Sequence, residues 1–593
     1  MNRSQRFINM VFVFIFTATL FPSPIHSQIE GNKEYYRELL KEHDRDVVEP
    51  NKEGSLLPRK GKYPVPKGVR KQVEHGSGVN LSIGKTYWVE TQWEDPLFKS
   101  QEIAFPDENK ELTDGEFGGL DWDQGRDPWV GYIRQGGRTI TLDLGEQMTV
   151  YSFSLDFLQR LDAGITVPEY VQYEVSLDGE RWQPIGKVET TTGFWNPDPS
   201  TDAFLLEGLY MNARYIRAYF PSMVWQFVDE FTVFGSPIFD PKAPKPIPFP
   251  SPPVHEPGYP SPNPHNDKVH QLLLHYVRPD DTLDIPFQPV ITYINENGET
   301  VDWMYDSILF TPLNVPVTKE GWETWMSTLF ESEKQLKRLN DTIEIGKKLL
   351  NDPHHKVKVV FSIPYPALSQ NSWGELNGEN LNFNPIESGQ ENSYNHRLKA
   401  VKWLIDSILE RWKQTDYQNL ELAGFYWDGE TVNMAAQYEK SLIKDTASYI
   451  HAKREHLFWI PYYGAPGYIN WKEMGFDVVM LQPNYSFANV DVGRLERAAQ
   501  MAHYYGTGIE LEAHWYVSSP NKDLATRYKN RYYDYFTAGN LMKFEYNTVS
   551  GWYENTATLQ ESFANPDPFY REIYDKTYQY IKESWTDTEY RSE

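Results

Sequence analysis

The chain has 593 residues, 40% hydrophobic and 15% aromatic, and its 57 basic against 83 acidic side chains leave a formal net charge of −26. That length exceeds one ordinary core, so several domains with linkers are expected, and the apolar share excludes a disordered chain. The acidic balance, with no basic stripe, argues against nucleic acid or an anionic membrane as partner, and the absence of cysteine excludes a disulfide framework, a thiolate metal site and a cysteine nucleophile.

At the N-terminus, Arg3 and Arg6 precede an apolar run from Val11 to Phe21, and Pro22 and Pro24 break it before Ser27. This pattern predicts a secretory signal over 1–27, hence a mature protein that is secreted or periplasmic and carries no integral membrane segment. Residues 28–78 form a charged lead-in. Gly84-Lys85-Thr86 fails as a phosphate loop because position 79 is Val and no helical pattern follows. Over 79–235, short alternating runs at 139–144, 150–157, 170–177, 215–220 and 231–234 are separated by turns, which predicts an antiparallel β-sandwich.

The pieces Leu81-Ser82-Ile83-Gly84-Lys85, Leu112-Thr113-Asp114-Gly115, Trp129-Val130-Gly131, Ile140-Thr141-Leu142-Asp143-Leu144-Gly145, Ser176-Leu177-Asp178-Gly179-Glu180-Arg181-Trp182, Arg214-Tyr215-Ile216-Arg217 and Asp229-Glu230-Phe231-Thr232-Val233-Phe234-Gly235 follow one another in an order that resembles a discoidin, or coagulation-factor C-type, jelly roll. The resemblance implies a binding accessory, often for carbohydrate and often with a structural calcium; the competing role is a structural spacer. Trp122, Asp123 and Trp129 are as compatible with a packed core as with a sugar-binding face.

Proline dominates 236–266, a stiff connector or a strap. Beyond it, over 267–593, short apolar runs alternate with amphipathic helical stretches, the pattern of a parallel sheet with crossover helices. Strands are expected to begin at Leu272, Ile308, Val357, Leu422, Leu457, Val478, Ile509 and Met542, and helices to span 334–350 and 397–412. Eight such units predict a (β/α)8 TIM barrel, so the chain is read as multidomain, an all-β discoidin-like sandwich followed by an α/β barrel.

Within the fourth unit, Gly424-Phe425-Tyr426-Trp427-Asp428-Gly429-Glu430 ends an apolar run in two carboxylates, and period two puts Tyr426, Asp428 and Glu430 on one face. The seventh unit, Gly508-Ile509-Glu510-Leu511-Glu512-Ala513-His514-Trp515, places Glu510, Glu512 and His514 opposite an apolar face that packs on helices. Two inward acids on one strand are hard to explain as structure alone, whereas Asp428 also suits a helix cap and Glu430 a first-turn position. Further mouth residues are expected after other strands: Tyr462 and Tyr463, then Gln482, Asn484 and Tyr485, then Glu545 and Asn547, with the polar loop 369–395 and its Trp373 overhanging them. No zinc-binding His pair and no nucleophile elbow is found.

Carboxylates at the ends of strands four and seven resemble the retaining glycosidases of the large barrel clan, although Gly429-Glu430 stands where those enzymes have Asn-Glu. The whole chain resembles a family of secreted bacterial proteins that pairs a discoidin module with a glycosidase-like barrel. What these resemblances imply is a glycoside hydrolase of polysaccharide degradation that needs no cofactor, with Glu430 as acid/base and Glu512 as nucleophile; Glu510 is either a support or the catalyst itself, and Asp428 tunes Glu430 or binds a hydroxyl. The competing function is a glycan-binding protein that has kept the cleft and lost the reaction; a polysaccharide lyase using Tyr462 or His514 is a lesser alternative.

Overall fold

A computed structural model describes residues 78–91, 107, 110–120, 122, 129–133, 137–160, 165–190, 199–222, 225–247, 258–264, 268–279, 285–331, 333–433, 436, 438–488, 490–546 and 548–592. The signal segment, nearly all of the lead-in, Asp123 and Asn547 lie outside the described residues. Two compact units form, one antiparallel within 78–247 and one holding a closed parallel barrel within 258–592.

The first unit is a nine-stranded antiparallel sheet. The runs expected at 139–144 and 150–157 are one continuous strand, Gly137–Gln159, because the turn residues Asp143 to Gly145 make an irregularity in the pairing with Met211–Pro221 rather than a break. Inward side chains such as Ile140, Leu142, Phe153, Phe157, Tyr173, Ile216 and Phe231 build its core. The start of the proline-rich segment lies on this unit: Asn212 donates from its backbone to Pro244 O at 2.8 Å and from its side chain to Asp240 O and Ala243 O. The end of that segment belongs to the barrel, where Gly258 N donates to His503 O and Val549 N to Pro260 O.

The barrel closes through β1 (Gln271–Val277), β2 (Ser307–Pro312), β3 (Val357–Ile363), β4 (Leu420–Trp427), β5 (His456–Trp459), β6 (Val478–Leu481), β7 (Gly508–Glu512) and β8 (Ser550–Tyr553). Strands such as β6, Val-Val-Met-Leu, are buried throughout because the barrel interior covers one face and helices cover the other. Leu272, Leu309, Val360, Ala423, Phe458, Val478 and Met480 fill the lower interior. The expected helices are present as Gln335–Leu350 and Gln390–Gln414. The crossovers after β1 and β5 instead use a four-residue helix with a hairpin and a single 3-10 turn.

Two expectations are corrected. The eighth strand does not begin at Met542, which ends the long helix Lys522–Met542; the strand begins at Ser550, after a turn. The apolar Leu541-Met542 pair resembled a strand start but closes a helix instead. The segment 369–395 is not an open loop: it forms a hairpin, Gly374–Leu376 with Glu379–Leu381, and runs into helices. Trp373 is buried there against Trp322, Phe383 and Trp403, so it packs on the helix layer rather than over the mouth.

Candidate active site

Beyond the C-terminal ends of the strands, the interior changes from apolar to acidic. On β4 the pairing slips between Leu422 and Gly424, so Ala423 is an extra residue and both Ala423 and Tyr426 face inward. Gly424 makes the slip possible: its φ is +145°, and a Cβ there would lie 2.2 Å from His456 O. Past the bulge the period of two holds, which turns Tyr426, Asp428 and Glu430 to the interior and Trp427 outward, edge-on to Tyr365.

The backbone carrying the acids is fixed on both sides. Asp428 N donates to Ile363 O at 3.3 Å, Trp459 Nε1 to Gly429 O at 2.6 Å, and Tyr462 N to Glu430 O at 3.2 Å. Gly429 is wedged, since a Cβ would meet Trp427 Nε1 at 2.9 Å and Tyr365 Cδ2 at 3.0 Å. Tyr365 in turn donates to Glu439, which is paired with the buried Arg397 at 2.8 Å. Asp428 and Glu430 therefore follow the strand as inward groups rather than heading a helix; the next helix, Glu439–Ala452, begins well beyond them.

On β7 both acids face inward and both are 2% exposed. Glu510 lies over Gly551 of β8, where a Cβ would come within 3.5 Å of its Cβ and Cγ. Glu512, at the strand end, accepts a hydrogen bond from the Tyr535 hydroxyl and another from Asn484 Nδ2 at 3.4 Å. Tyr535 itself accepts from Tyr485 N and Ser486 N, at 3.2 and 3.3 Å, and so links the segment after β6 to the carboxylate.

Burial dominates the protonation of the group. It pushes Glu430 well above the ordinary carboxylate range, with Asp428 and Glu512 adding repulsion against a hydrogen bond from Gln482. Glu510 is pushed up by burial and by Glu512 and Glu430. Burial also raises Glu512, opposed chiefly by the Tyr535 hydrogen bond, and it raises Asp428 to about 6 against donors on Ser362 and Thr311. A cavity that holds one carboxyl neutral beside a hydrogen-bonded neighbour has the means to deliver a proton and to stabilise a positive centre.

The other expected residues separate into three groups. Tyr462 borders Glu430, Gln482 joins Glu430 and Asn484, and Asn484 reaches Glu512. Trp515 is half-buried at the rim beside Phe487, which meets Tyr553 edge-on at 5.6 Å. Tyr463, Tyr485 and His514 are packing residues. Tyr463 lies under the Arg494 guanidinium at 4.0 Å, and Tyr485 under Arg531 at 3.8 Å while donating to Asp534. The His514 imidazole accepts from Tyr516 N, and burial lowers its pKa to about 3, so it caps a turn as a neutral ring. Glu545 precedes β8 and lies at the opposite end of the barrel from Glu430 and Glu512.

Sequence reasoning missed Tyr276, Tyr553, Thr311, Ser362 and Tyr535. Tyr276 and Tyr553 meet edge-on at 6.2 Å, and both feel Glu430 and Glu510. Parity from Leu272 through Leu274 pointed to Tyr276, and a correct start for β8 would have exposed Tyr553; Tyr535, on a helix, left no signal. Among the described residues, no group of three or more His, Asp or Glu side chains is arranged to hold a metal ion, and no helix is long and apolar enough to cross a membrane.

Fold and site together define a parallel-barrel protein with a carboxyl-lined mouth. The chain belongs to the family described as "Domain of unknown function (DUF4855)", whose match spans residues 280–579. No curated protein matches it. Among solved structures it has weak similarity to glycoside hydrolases and carbohydrate-binding modules. One is SpGH29, at 19% identity and TM-score 0.18 over 27% of this chain and 28% of that one, so the chain spans under a third of that enzyme's length. Another is a chitosan-binding module of a chitosanase/glucanase from Paenibacillus sp. IK-5, at 18% identity and TM-score 0.18 over 26% of this chain and 99% of that one. The C-terminal domain of a chitobiase from Bacteroides fragilis matches at 16% identity and TM-score 0.20, over 27% of this chain and 100% of that one. Likenesses at this level carry no functional argument.

Proposed function

We propose that the barrel is a glycoside hydrolase of the retaining type, with Glu430 as acid/base and Glu512 as nucleophile. The observation that supports this most is the pairing of unequal environments in one cavity. Burial raises both carboxyls, but Glu430 goes well above the ordinary range with acidic neighbours adding to it, whereas two hydrogen-bond donors hold Glu512 to about 7. Cleavage would begin with proton transfer from Glu430 to the leaving oxygen while a Glu512 oxygen attacks the anomeric carbon; Glu430 would then deprotonate the water that releases the sugar. Glu510, lacking those donors, suits the supporting role better. Tyr276, Tyr426, Tyr462, Tyr553 and Trp515 supply rings of the kind sugar faces stack on. In this reading the antiparallel unit is a discoidin-type carbohydrate-binding accessory, and the protein acts outside the cytoplasm.

The test is a glycan panel with product stereochemistry followed by NMR. Release of the retained anomer, abolished in Glu512→Gln, supports the proposal. Tight binding without turnover supports the competing glycan-binding function, and an inverted product removes the nucleophile role from Glu512.

A further inference from the structure

The mouth holds more acid than the proposed reaction consumes. Two carboxyls carry hydrolysis, which leaves Asp428 and Glu510 facing the same cavity. Among the described residues, none of Asp428, Glu430 and Glu510 has a basic side chain acting on it. Acidic neighbours act on Glu430 and Glu510, and Asp428, itself beside Glu430, accepts from the hydroxyls of Ser362 and Thr311. Arg494, the cation that acts on Glu512, is engaged elsewhere, over the Tyr463 ring and donating to Pro483 O at 3.1 Å.

Glu510 is the group left incomplete. It is 2% exposed, and its Oε1 has no hydrogen-bond partner among the described residues. Its direction is set by the close approach to Gly551 on the inner face and by its action on Tyr276, Tyr426 and Tyr553. A buried acceptor without a donor is unfavourable until a ligand supplies one. Resting on the hydrolase reading, we infer that the substrate is a glycan whose sugar carries a free amino group, its ammonium seated against Glu510 with Asp428 as the second acid. An ammonium brings three N–H donors and the missing positive charge, and the surrounding tyrosine faces attract it further. An N-acetyl group brings one neutral donor and more bulk, and a uronate or sulfate would add its own negative charge to a cavity already lined by four carboxyls.

Binding has a proton balance. Burial holds Glu510 protonated, so seating the ammonium as an ion pair sends the Glu510 proton to solvent. The test uses the full chain and oligosaccharides of glucosamine and galactosamine, each in amino and N-acetylated form, with uronic acid oligomers beside them. Expected is a kcat/KM for an amino member on the order of ten- to a hundredfold above its N-acetylated twin, a preference lost in Glu510→Gln. Calorimetry of the wild type in two buffers of different ionisation enthalpy should show proton release for that member only, a readout that does not depend on the variant folding. Equal or faster hydrolysis of N-acetylated or uronic members, or no proton release, overturns the inference and leaves the hydrolase reading standing. Binding of an amino member with proton release but no turnover supports the inference and removes the hydrolase reading. Neither binding nor turnover of any member overturns both.

Discussion

Replacing Asp428 by Asn should stabilise the barrel, and by an amount that depends on pH. Burial lifts the Asp428 carboxyl from 3.8 to about 6, and the opposing hydrogen bonds from Ser362 and Thr311 do not undo it. A shift of about 2 units corresponds to about 3 kcal/mol at most. The sign follows from linkage: with its folded pKa above the unfolded one, Asp428 contributes stability below about pH 4 that is lost as pH rises through about 6. Asn retains an acceptor for the two hydroxyls and never ionises. Wild type and Asp428→Asn should therefore unfold alike near pH 4, and the variant should gain progressively, levelling off above pH 6 at up to about 3 kcal/mol. Neutralising Asp428 also relieves Glu430, which adds in the same direction. Urea unfolding followed by tryptophan fluorescence from pH 4 to 8 measures the difference directly. A difference that stays flat with pH, or a variant less stable at pH 8, would refute the claim that this carboxyl is buried at the stability's expense.

Tyr535→Phe removes a charged-acceptor hydrogen bond worth about 1.5–3 kcal/mol, so Glu512 should rise by about 1–2 units; the acidic limb of kcat/KM should move up by that amount, and an unmoved limb would mean that Glu512 is not the ionising group. Gly429→Ala forces a Cβ against Trp427 and Tyr365, and should cost about 1–3 kcal/mol of stability while displacing Glu430, so that activity falls more than thermal unfolding alone explains. Arg397→Ala leaves Glu439 buried without its partner, and should cost about 3–5 kcal/mol in chemical denaturation; a loss under about 1 kcal/mol would show that Glu439 is not held as an ion there.

Much of the barrel is legible because its strands are short apolar runs and its helices amphipathic, so the number of units and the inward parity of β4 and β7 follow from residue spacing. Parity succeeded at Asp428 and Glu430 because the bulge at Ala423 lies upstream of them; read from Leu420, a strict period of two would have turned the face over at Gly424. The end of the chain was less legible. Phe536, Leu541, Met542 and Phe544 give a helix end and a turn an apolar density like that of a strand, which moved β8 and carried Glu545 to the wrong end of the barrel. Tyr485 and His514 looked like mouth residues by position, yet their polar atoms are used by Asp534 and by the Tyr516 backbone, partners distant in sequence or hidden in a turn. Tyr535 illustrates the limit most clearly, since a helical tyrosine acquires its role only when the long helix is laid against β7.

The most direct measurement compares Glu430→Gln and Glu512→Gln on natural glycosides and on aryl glycosides with good leaving groups, using the sugar that the panel identifies. Loss of the acid should slow natural substrates by about 10² to 10⁴-fold and activated ones less in the first step, since these depart without full protonation. Loss of the nucleophile should abolish turnover of both. Equal losses on the two substrate classes for Glu430→Gln, or no loss at all, would contradict the assignment of Glu430 as the proton donor and with it the account of this mouth as a hydrolytic site.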